Sequence, residues 1–266
     1  MKNLIFTAVF LAFGNLTNGQ TVGFDIKSTQ KTLVKINDSL FASKFEVTNK
    51  QYRIFLNSFR QCSQAEKYLT AQIDSTKWRD KLAYNEPYVD YYHAHPAYAN
   101  YPVVNISYEG ATLFCEWLTS QYNTNEKRKF KKVKFRLPSE KEWITVAKGG
   151  NPTATYPWEG NELVTNKGLY RCNFKRTIED RMGVAGNLND NSDVTAPSQS
   201  YWPNKYGLYN MSGNVAEMLV KKGQTKGGSW KDTAEDMKIE SNGKYTSFDS
   251  PMPTIGFRYF MDVIEK

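Results

Sequence analysis

Thiols and imidazoles are the side chains that most often hold transition metals or act as nucleophiles, and this sequence has few of either. It contains two histidines, His93 and His95, which lie two residues apart and could share one face of a strand. No third ligand stands near them in the sequence, so a multi-histidine metal centre is a poor fit. We interpret His95 as a packing or hydrogen-bonding residue.

The three cysteines, Cys62, Cys115 and Cys172, allow at most one intrachain disulfide and leave one thiol over. Cys115 falls on the apolar face of a predicted helix, which indicates a buried small hydrophobe. Cys62–Cys172 is the pairing that we would test first. No histidine lies near any of the three cysteines in sequence, so an activated thiolate is weakly supported.

Other catalytic patterns are missing from the sequence. It has no phosphate-binding glycine-rich loop and no G-x-S-x-G nucleophile elbow. Acidic residues are plentiful, but their spacing gives no reason to pair two of them for glycoside hydrolysis.

Charge is concentrated in one segment. The 266 residues carry a formal net charge of +8, from 35 Lys and Arg against 27 Asp and Glu, and residues 127–136 contain basic residues and no acid. One interpretation is a solvated loop and strand edge, where lysines discourage edge-to-edge pairing. The other is contact with an acidic partner or an anionic polysaccharide, made through Lys127, Arg128, Lys129, Lys131 and Lys132.

The first residues have the pattern of an export signal. Lys2 precedes an apolar run from Leu4 to Phe13, and Thr17 and Gly19 suit a signal-peptidase site. We expect residues 1–19 to be a signal peptide and residues 20–266 to form a single domain with its core at about 30–264; a retained anchor is the alternative. The run is too short to span a bilayer comfortably. A periplasmic or cell-surface location follows, where nucleic acid is an improbable partner.

Capping residues and apolar spacing predict three helices in the middle of the chain. Thr48 caps the first, Ser107 begins the second, and Ser139 with Glu142 forms a capping box on the third. Residues 40–47 and a segment ending at Leu137 are typical of strands. The apolar positions expected to face the core are Tyr52, Phe55, Leu56, Phe59, Ala111, Phe114, Cys115, Leu118, Trp143 and Ala147.

The ordered motifs resemble the formylglycine-generating enzyme, or sulfatase-modifying factor, family. The resemblance lies in Phe-Glu-Val-Thr-Asn at 45–49, Arg-Leu-Pro-Ser-Glu at 136–140, Gly-Leu-Tyr-Asn-Met-Ser-Gly-Asn-Val at 207–215, Gly-Gly-Ser-Trp at 227–230 and Gly-Phe-Arg at 256–258, with further matches at 95–111, 114–118 and 156–158. It implies an α+β fold, a variant of the C-type-lectin-like fold that is low in regular structure, with small mixed sheets and about three helices.

The resemblance also implies calcium, an ion that prefers oxygen ligands. The first site would use side-chain oxygens of Asn210 and Glu217 with carbonyls of Gly213 and Val215. The second would use Asn173, the Phe174 carbonyl and Asp190, with Asp193 as a competing alignment. The alternative is an ordinary Asx/Gly turn followed by the start of a helix.

The family's oxidation chemistry depends on a cysteine pair that binds copper. The corresponding positions here are Asp232 and Met237, and no cysteine follows Cys172. A carboxylate and a thioether cannot replace two thiolates in Cu(I) chemistry. We therefore expect no copper, no iron and no catalytic residues.

Three functions remain open. The first is a secreted, non-catalytic binding or scaffold protein. Its partner would be an exported protein, a glycan or a cell-envelope assembly such as gliding-motility or type IX secretion machinery. The members of this fold in such machinery also lack the copper cysteines. The second is a metal-dependent oxygenase or protein-modifying enzyme with non-standard ligands. The third and weakest is a carbohydrate-binding protein.

Overall fold

The computed structural model describes residues 23–61, 64–80, 84–175 and 194–266. The predicted signal peptide, Cys62, Asp190 and Asp193 lie outside these ranges. The described helices and strands are α1 Ile26–Lys31, β1 Leu33–Lys35, β2 Leu40–Ser43, α2 Asn49–Gln61, α3 Ala65–Ala71, α4 Glu86–Tyr91, α5 Tyr108–Asn123, β3 Lys132–Arg136, α6 Glu140–Ala147, β4 Ala216–Met218, β5 Thr225–Lys226, β6 Ile255–Gly256 and β7 Phe260–Glu265.

The strands form two small sheets, which confirms the α+β prediction. The larger sheet is antiparallel, in the order β1-β2-β7-β3. The smaller has the order β5-β4-β6, with β4 antiparallel to β5 and parallel to β6. Long ordered loops connect these elements, so a large part of the core is held by side chains outside regular structure.

An aromatic core joins α2 and α5 to the segment between β6 and β7. Tyr52 and Phe55 of α2 are fully buried, and the Phe55 and Phe114 rings lie 5.4 Å apart in an edge-to-face arrangement. Phe114 in turn meets Phe257 at 5.4 Å. Such edge contacts add specificity to the burial of apolar area, and they explain why the domain needs so many aromatic residues.

The three predicted helices are confirmed as α2, α5 and α6. Thr48 Oγ1 accepts a hydrogen bond from the backbone N–H of Gln51, Ser107 caps α5, and Ser139 with Glu142 forms the capping box of α6. Three further helices, α1, α3 and α4, were not predicted. Each has only six or seven residues, too few for a periodic apolar pattern, and tertiary packing stabilises such short helices.

The strand predicted over 40–47 ends earlier, at Ser43. Beyond it the chain stays beside residues 257–259, because Ser43 N–H donates to the Tyr259 carbonyl and Val47 N–H to the Phe257 carbonyl. Arg258 inserts its side chain between these contacts and donates to the Ser43 and Lys44 carbonyls. The regular ladder is therefore interrupted where a buried charge enters the core.

The basic segment includes the edge strand β3. Lys132 and Lys134 point to solvent, while Val133 and Phe135 are buried. Side chains of α5 cover the outer edge of the strand: the Asn123 amide pairs with both the N–H and the carbonyl of Val133 at 2.9 Å. The backbone of this edge is thus closed to strand addition at Val133, and the lysines are presented on an exposed face.

None of the helices within the described ranges combines the length and apolarity needed to cross a membrane.

Candidate functional site

Four buried charged or amide side chains from distant parts of the chain meet where the two sheets adjoin. Glu217 lies in the middle of β4, Arg258 follows β6, Glu46 follows β2, and Asn214 lies in the loop before β4. Their exposed fractions are between 0% and 1%. Charges are rarely buried this deeply unless they are paired, so the partners of each group define the site.

Glu217 and Arg258 form a buried ion pair. Arg258 Nε donates to Glu217 Oε2 at 2.7 Å and Nη2 donates to Oε1, which gives a two-point contact. The indole N–H of Trp143 also donates to Oε2 at 2.7 Å. Both carboxylate oxygens of Glu217 are therefore engaged, and the remaining Arg258 donors reach the carbonyls of the chain around it.

Glu46 is the second buried carboxylate. It accepts hydrogen bonds of 3.0 Å from the side-chain amides of Asn210 and Asn214. Burial, and then the charge of Glu217, raise the pKa of Glu46 to about 8, although the two amides and Arg258 act in the opposite direction. One arginine thus faces two carboxylates, and hydrogen bonds from the two amide groups stabilise the negative charge of Glu46.

The two predicted calcium sites adjoin. Asn214 N–H donates to the Asn173 carbonyl at 2.8 Å, and Gly213 has a φ of +76° directly against that carbonyl. Asn210 Oδ1 is buried with no hydrogen-bond partner among the described residues, which fits an amide oxygen available to a cation. Val215 and Phe174 are buried, and Asp190 lies outside the described residues.

Glu217 is less suited to the role that the resemblance implies for it. Its two oxygens are held by Arg258 and Trp143, so binding calcium would require Arg258 to move away. The Asn210 side of the first site therefore fits calcium, whereas the carboxylate side does not fit in this arrangement. Calcium at these positions stays a prediction.

The positions that correspond to the copper cysteines have other roles. Asp232 is completely buried, and its Oδ2 accepts from the backbone and hydroxyl of Ser229 at 2.9 and 2.7 Å. Its Oδ1 accepts from the Tyr245 hydroxyl at 3.0 Å and pairs with Lys244 Nζ at 3.1 Å. Met237 is packed in a separate apolar cluster with Tyr156 and other residues. The carboxylate therefore closes a polar network, and the thioether fills a core.

The two histidines do not share a site. His95 is exposed, and its Nδ1 accepts from Ala97 N–H at the start of a short 3-10 helix. His93 is buried between Asn49, at 3.0 Å from Nδ1, and the indole N–H of Trp78, at 3.3 Å from Nε2. Across the described ranges, no group of three or more His, Cys, Asp and Glu side chains is arranged to hold a metal.

Burial, with a contribution from the charge of Arg53, lowers the pKa of His93 from 6.5 to about 3. The folded state then binds fewer protons than the unfolded state, so this group stabilises the fold above pH 6.5 and the contribution is lost as the pH falls toward 3.

We expect His93→Gln to reduce the fall in unfolding free energy between pH 6.5 and pH 3. Chemical denaturation at several pH values measures it, and His95→Gln is the matched control. Equal slopes for wild type and His93→Gln would contradict the assignment.

The basic segment lies apart from the buried cluster. Four of its five candidate residues, Lys127, Lys129, Lys131 and Lys132, are exposed, and Arg128 is half-buried. Lys131 pairs with Glu265 at 2.8 Å. Such an exposed pair contributes little to stability, so the segment is available for contact with a partner without loss of the fold.

Cys115 is buried on the inner face of α5, as predicted, and burial raises the pKa of its thiol. Cys172 is buried in the cluster that contains Met237. Because Cys62 lies outside the described residues, the proposed disulfide stays a prediction.

Sequence reasoning did not identify Glu46, Asn214 and Arg258 as members of the site. Each belongs to a motif that carried the family resemblance: Phe-Glu-Val-Thr, Gly-Asn-Val and Gly-Phe-Arg. No local pattern separates Glu46 and Arg258 from exposed residues, because Lys134 of β3 also stands between two apolar neighbours and points to solvent.

Comparison with known proteins places these features in one family. The model of the Sulfatase-modifying factor enzyme 1-like domain matches residues 2–263. The formylglycine-generating enzyme of Thermomonospora curvata is 38% identical over 118 residues, which cover 44% of this chain and 32% of that protein. The inactive C-alpha-formylglycine-generating enzyme 2 of Bos taurus is 27% identical over 248 residues, covering 80% of this chain and 74% of that protein.

Solved structures agree in fold. PvdO from Pseudomonas aeruginosa aligns with a TM-score of 0.57 at 16% identity, over 84% of this chain and 80% of that one. CarF aligns with a TM-score of 0.51 at 23% identity, over 87% and 93%. At these identities the likeness concerns the fold alone, and the chain spans only about a third of the length of the Thermomonospora enzyme. The family match, the ordered motifs and the fold together establish that this chain belongs to the sulfatase-modifying factor (FGE-sulfatase) domain family.

Proposed function

We propose that the chain is a non-catalytic binding or scaffold module with a sulfatase-modifying-factor fold. The observation that carries this proposal is the replacement of the copper-binding cysteine pair by Asp232 and Met237. Soft thiolates select Cu(I), whereas a carboxylate is a hard ligand and a single thioether binds weakly. Both replacing side chains also have structural partners, so neither is held ready for a metal.

The buried state of Asp232 strengthens this argument. Its two oxygens receive four donors, from Ser229, Tyr245 and Lys244. A buried carboxylate whose hydrogen bonds are complete stabilises the loop that holds it. Two of the relatives are named as inactive formylglycine-generating enzymes, so the family also contains members that are described as inactive.

The cellular setting is part of the proposal. The apolar run at Leu4–Phe13 supports export, with a periplasmic or cell-surface location. The partner would be an exported protein, an anionic glycan or a cell-envelope assembly such as gliding-motility or type IX secretion machinery. The exposed lysines of the basic segment would steer an acidic partner toward this face, an effect that salt weakens.

Calcium is proposed as a structural ion near Asn210, whose buried Oδ1 lacks a partner among the described residues. Asn210, together with backbone carbonyls of the 210–215 loop, would hold it. The ion would offset part of the negative charge of Glu46, because Arg258 is already paired with Glu217.

A copper and oxygen assay tests the proposal. We expect the purified chain to bind no stoichiometric Cu(I) and to consume no oxygen with a cysteine-containing sulfatase peptide. The Thermomonospora curvata formylglycine-generating enzyme is the positive control, and an Asp232→Cys/Met237→Cys variant reports whether the scaffold can still accept the metal. Stoichiometric copper or iron with peptide-dependent oxygen uptake by the wild type would overturn the proposal in favour of an enzyme with non-standard ligands.

A further inference from the structure

We propose that the surface cavity beside Trp202 binds an acidic sugar unit, such as a uronic acid within a polysaccharide. This inference deepens the proposed function and rests on it only in assuming that the chain binds its ligand without transforming it. The site lies outside the buried carboxylate cluster and outside the basic segment.

The cavity lies at a tight hairpin. Thr165 N–H donates to the Leu169 carbonyl at 2.8 Å, and Arg171 N–H donates to the Leu163 carbonyl at 2.9 Å. These bonds fix the shape of the hairpin, and the open cavity that it forms with Trp202 has a volume of about 420 Å³. The lining residues are Thr165, Asn166, Lys167, Leu169, Arg171 and Trp202. A volume of this size admits one or two sugar rings.

Trp202 supplies a flat apolar surface. The residue is 51% exposed, although most of the large aromatic residues in the described ranges are buried. The preceding residue, Tyr201, has a φ of +62°. A large side chain in this left-handed conformation is strained, and such strain is found where the surrounding structure holds a residue for a purpose. An exposed indole ring suits the C–H face of a pyranose.

The charge of the cavity selects an anion. Lys167 and Arg171 contribute two positive charges, and none of the six described lining residues is acidic. Arg171 Nε is buried without a hydrogen-bond partner among the described residues, and the guanidinium lies 6.0 Å from the Trp158 ring. A guanidinium matches a carboxylate in geometry as well as charge, and Arg171, which lies over Trp158, lines the same cavity as Trp202.

The exposed indole and the positive charge of the cavity together indicate the class of ligand. A neutral sugar would use Trp202 but would not use the positive charges of Lys167 and Arg171. An acidic peptide would use the cations but has no obligatory flat apolar face for the indole. A pyranose that bears a carboxylate uses both, and Thr165 and Asn166 add polar groups for its hydroxyls.

Titration calorimetry with tetra-uronates of galacturonic, guluronic and glucuronic acid tests the proposal on the full chain. We expect at least one to bind, with affinity that falls as NaCl rises, and its methyl ester to bind about tenfold or more weakly because the charge is removed. Trp202→Ala should weaken binding about tenfold or more at an unchanged melting temperature. Tyr91→Ala, which removes another exposed aromatic, is the matched control and should change nothing.

Several results would overturn the proposal. Failure of all three tetra-uronates to bind removes it, as does binding that Trp202→Ala leaves unchanged. Equal binding of the ester removes the role of charge, and tighter binding of tetraglutamate would assign the cavity to an acidic peptide. None of these results affects the copper and oxygen assay, so failure of this site and failure of the proposed function are distinguishable.

Discussion

Glu217→Ala should destabilise the protein by about 3–5 kcal/mol, because it leaves the buried Arg258 guanidinium without its counter-charge. The loss should be the same in calcium and in EDTA, since Arg258 and Trp143 hold both oxygens of Glu217 in the folded state. Chemical denaturation under the two conditions measures the effect.

A paired replacement separates the ion pair from the metal. Glu217→Leu/Arg258→Met removes both charges and should recover much of the stability lost in Glu217→Ala, since apolar residues of similar volume can replace a buried pair. A loss that appears in calcium and disappears in EDTA would contradict this expectation and identify Glu217 as a calcium ligand.

Gly213→Ala should have an effect of similar size. A Cβ at this position would lie 2.2 Å from the Asn173 carbonyl oxygen and 3.0 Å from its carbon, and both atoms belong to the backbone. The φ of +76° adds the strain of a left-handed alanine. We expect a destabilisation of about 3–4 kcal/mol, because the loop that carries Asn214 must move.

Gly160→Ala is the matched control, since Gly160 has a φ of +83° but no neighbouring atom within 4 Å among the described residues. It should cost only the left-handed strain, about 1–2 kcal/mol. Urea denaturation of both variants measures the difference. Equal losses would show that the Asn173 contact contributes nothing and that backbone strain accounts for the whole effect.

Local signals in the sequence were sufficient for the longer helices. Thr48, Ser107 and the Ser139–Glu142 pair marked three helix starts, and the apolar spacing identified the residues that α2, α5 and α6 bury. Capping and periodicity depend on neighbours within one or two turns, so one sequence contains all of the information that they need.

Short elements and the end of β2 could not be predicted in this way. The helices α1, α3 and α4 are too short to show a period, and their stability comes from contacts made elsewhere in the chain. The strand at Leu40 ends at Ser43 because Arg258, more than 200 residues away in sequence, takes the carbonyls that a regular ladder would use.

By itself, the sequence determined the family, the three capped helices and the presence of Asp232 and Met237 where the resemblance implies cysteines, because motifs and residue identities are local properties. Only the tertiary structure decided which partners the buried charged and amide side chains have. It pairs Glu217 with Arg258, joins Glu46 to Asn210 and Asn214, and completes the hydrogen bonds of Asp232. The ion pair between β4 and the segment after β6 depends on how strands distant in sequence align, and burial then makes every unpaired charge costly. No local pattern in the sequence shows how side chains pair in the buried core. This pairing therefore decides which residues of the family motifs remain available to a ligand.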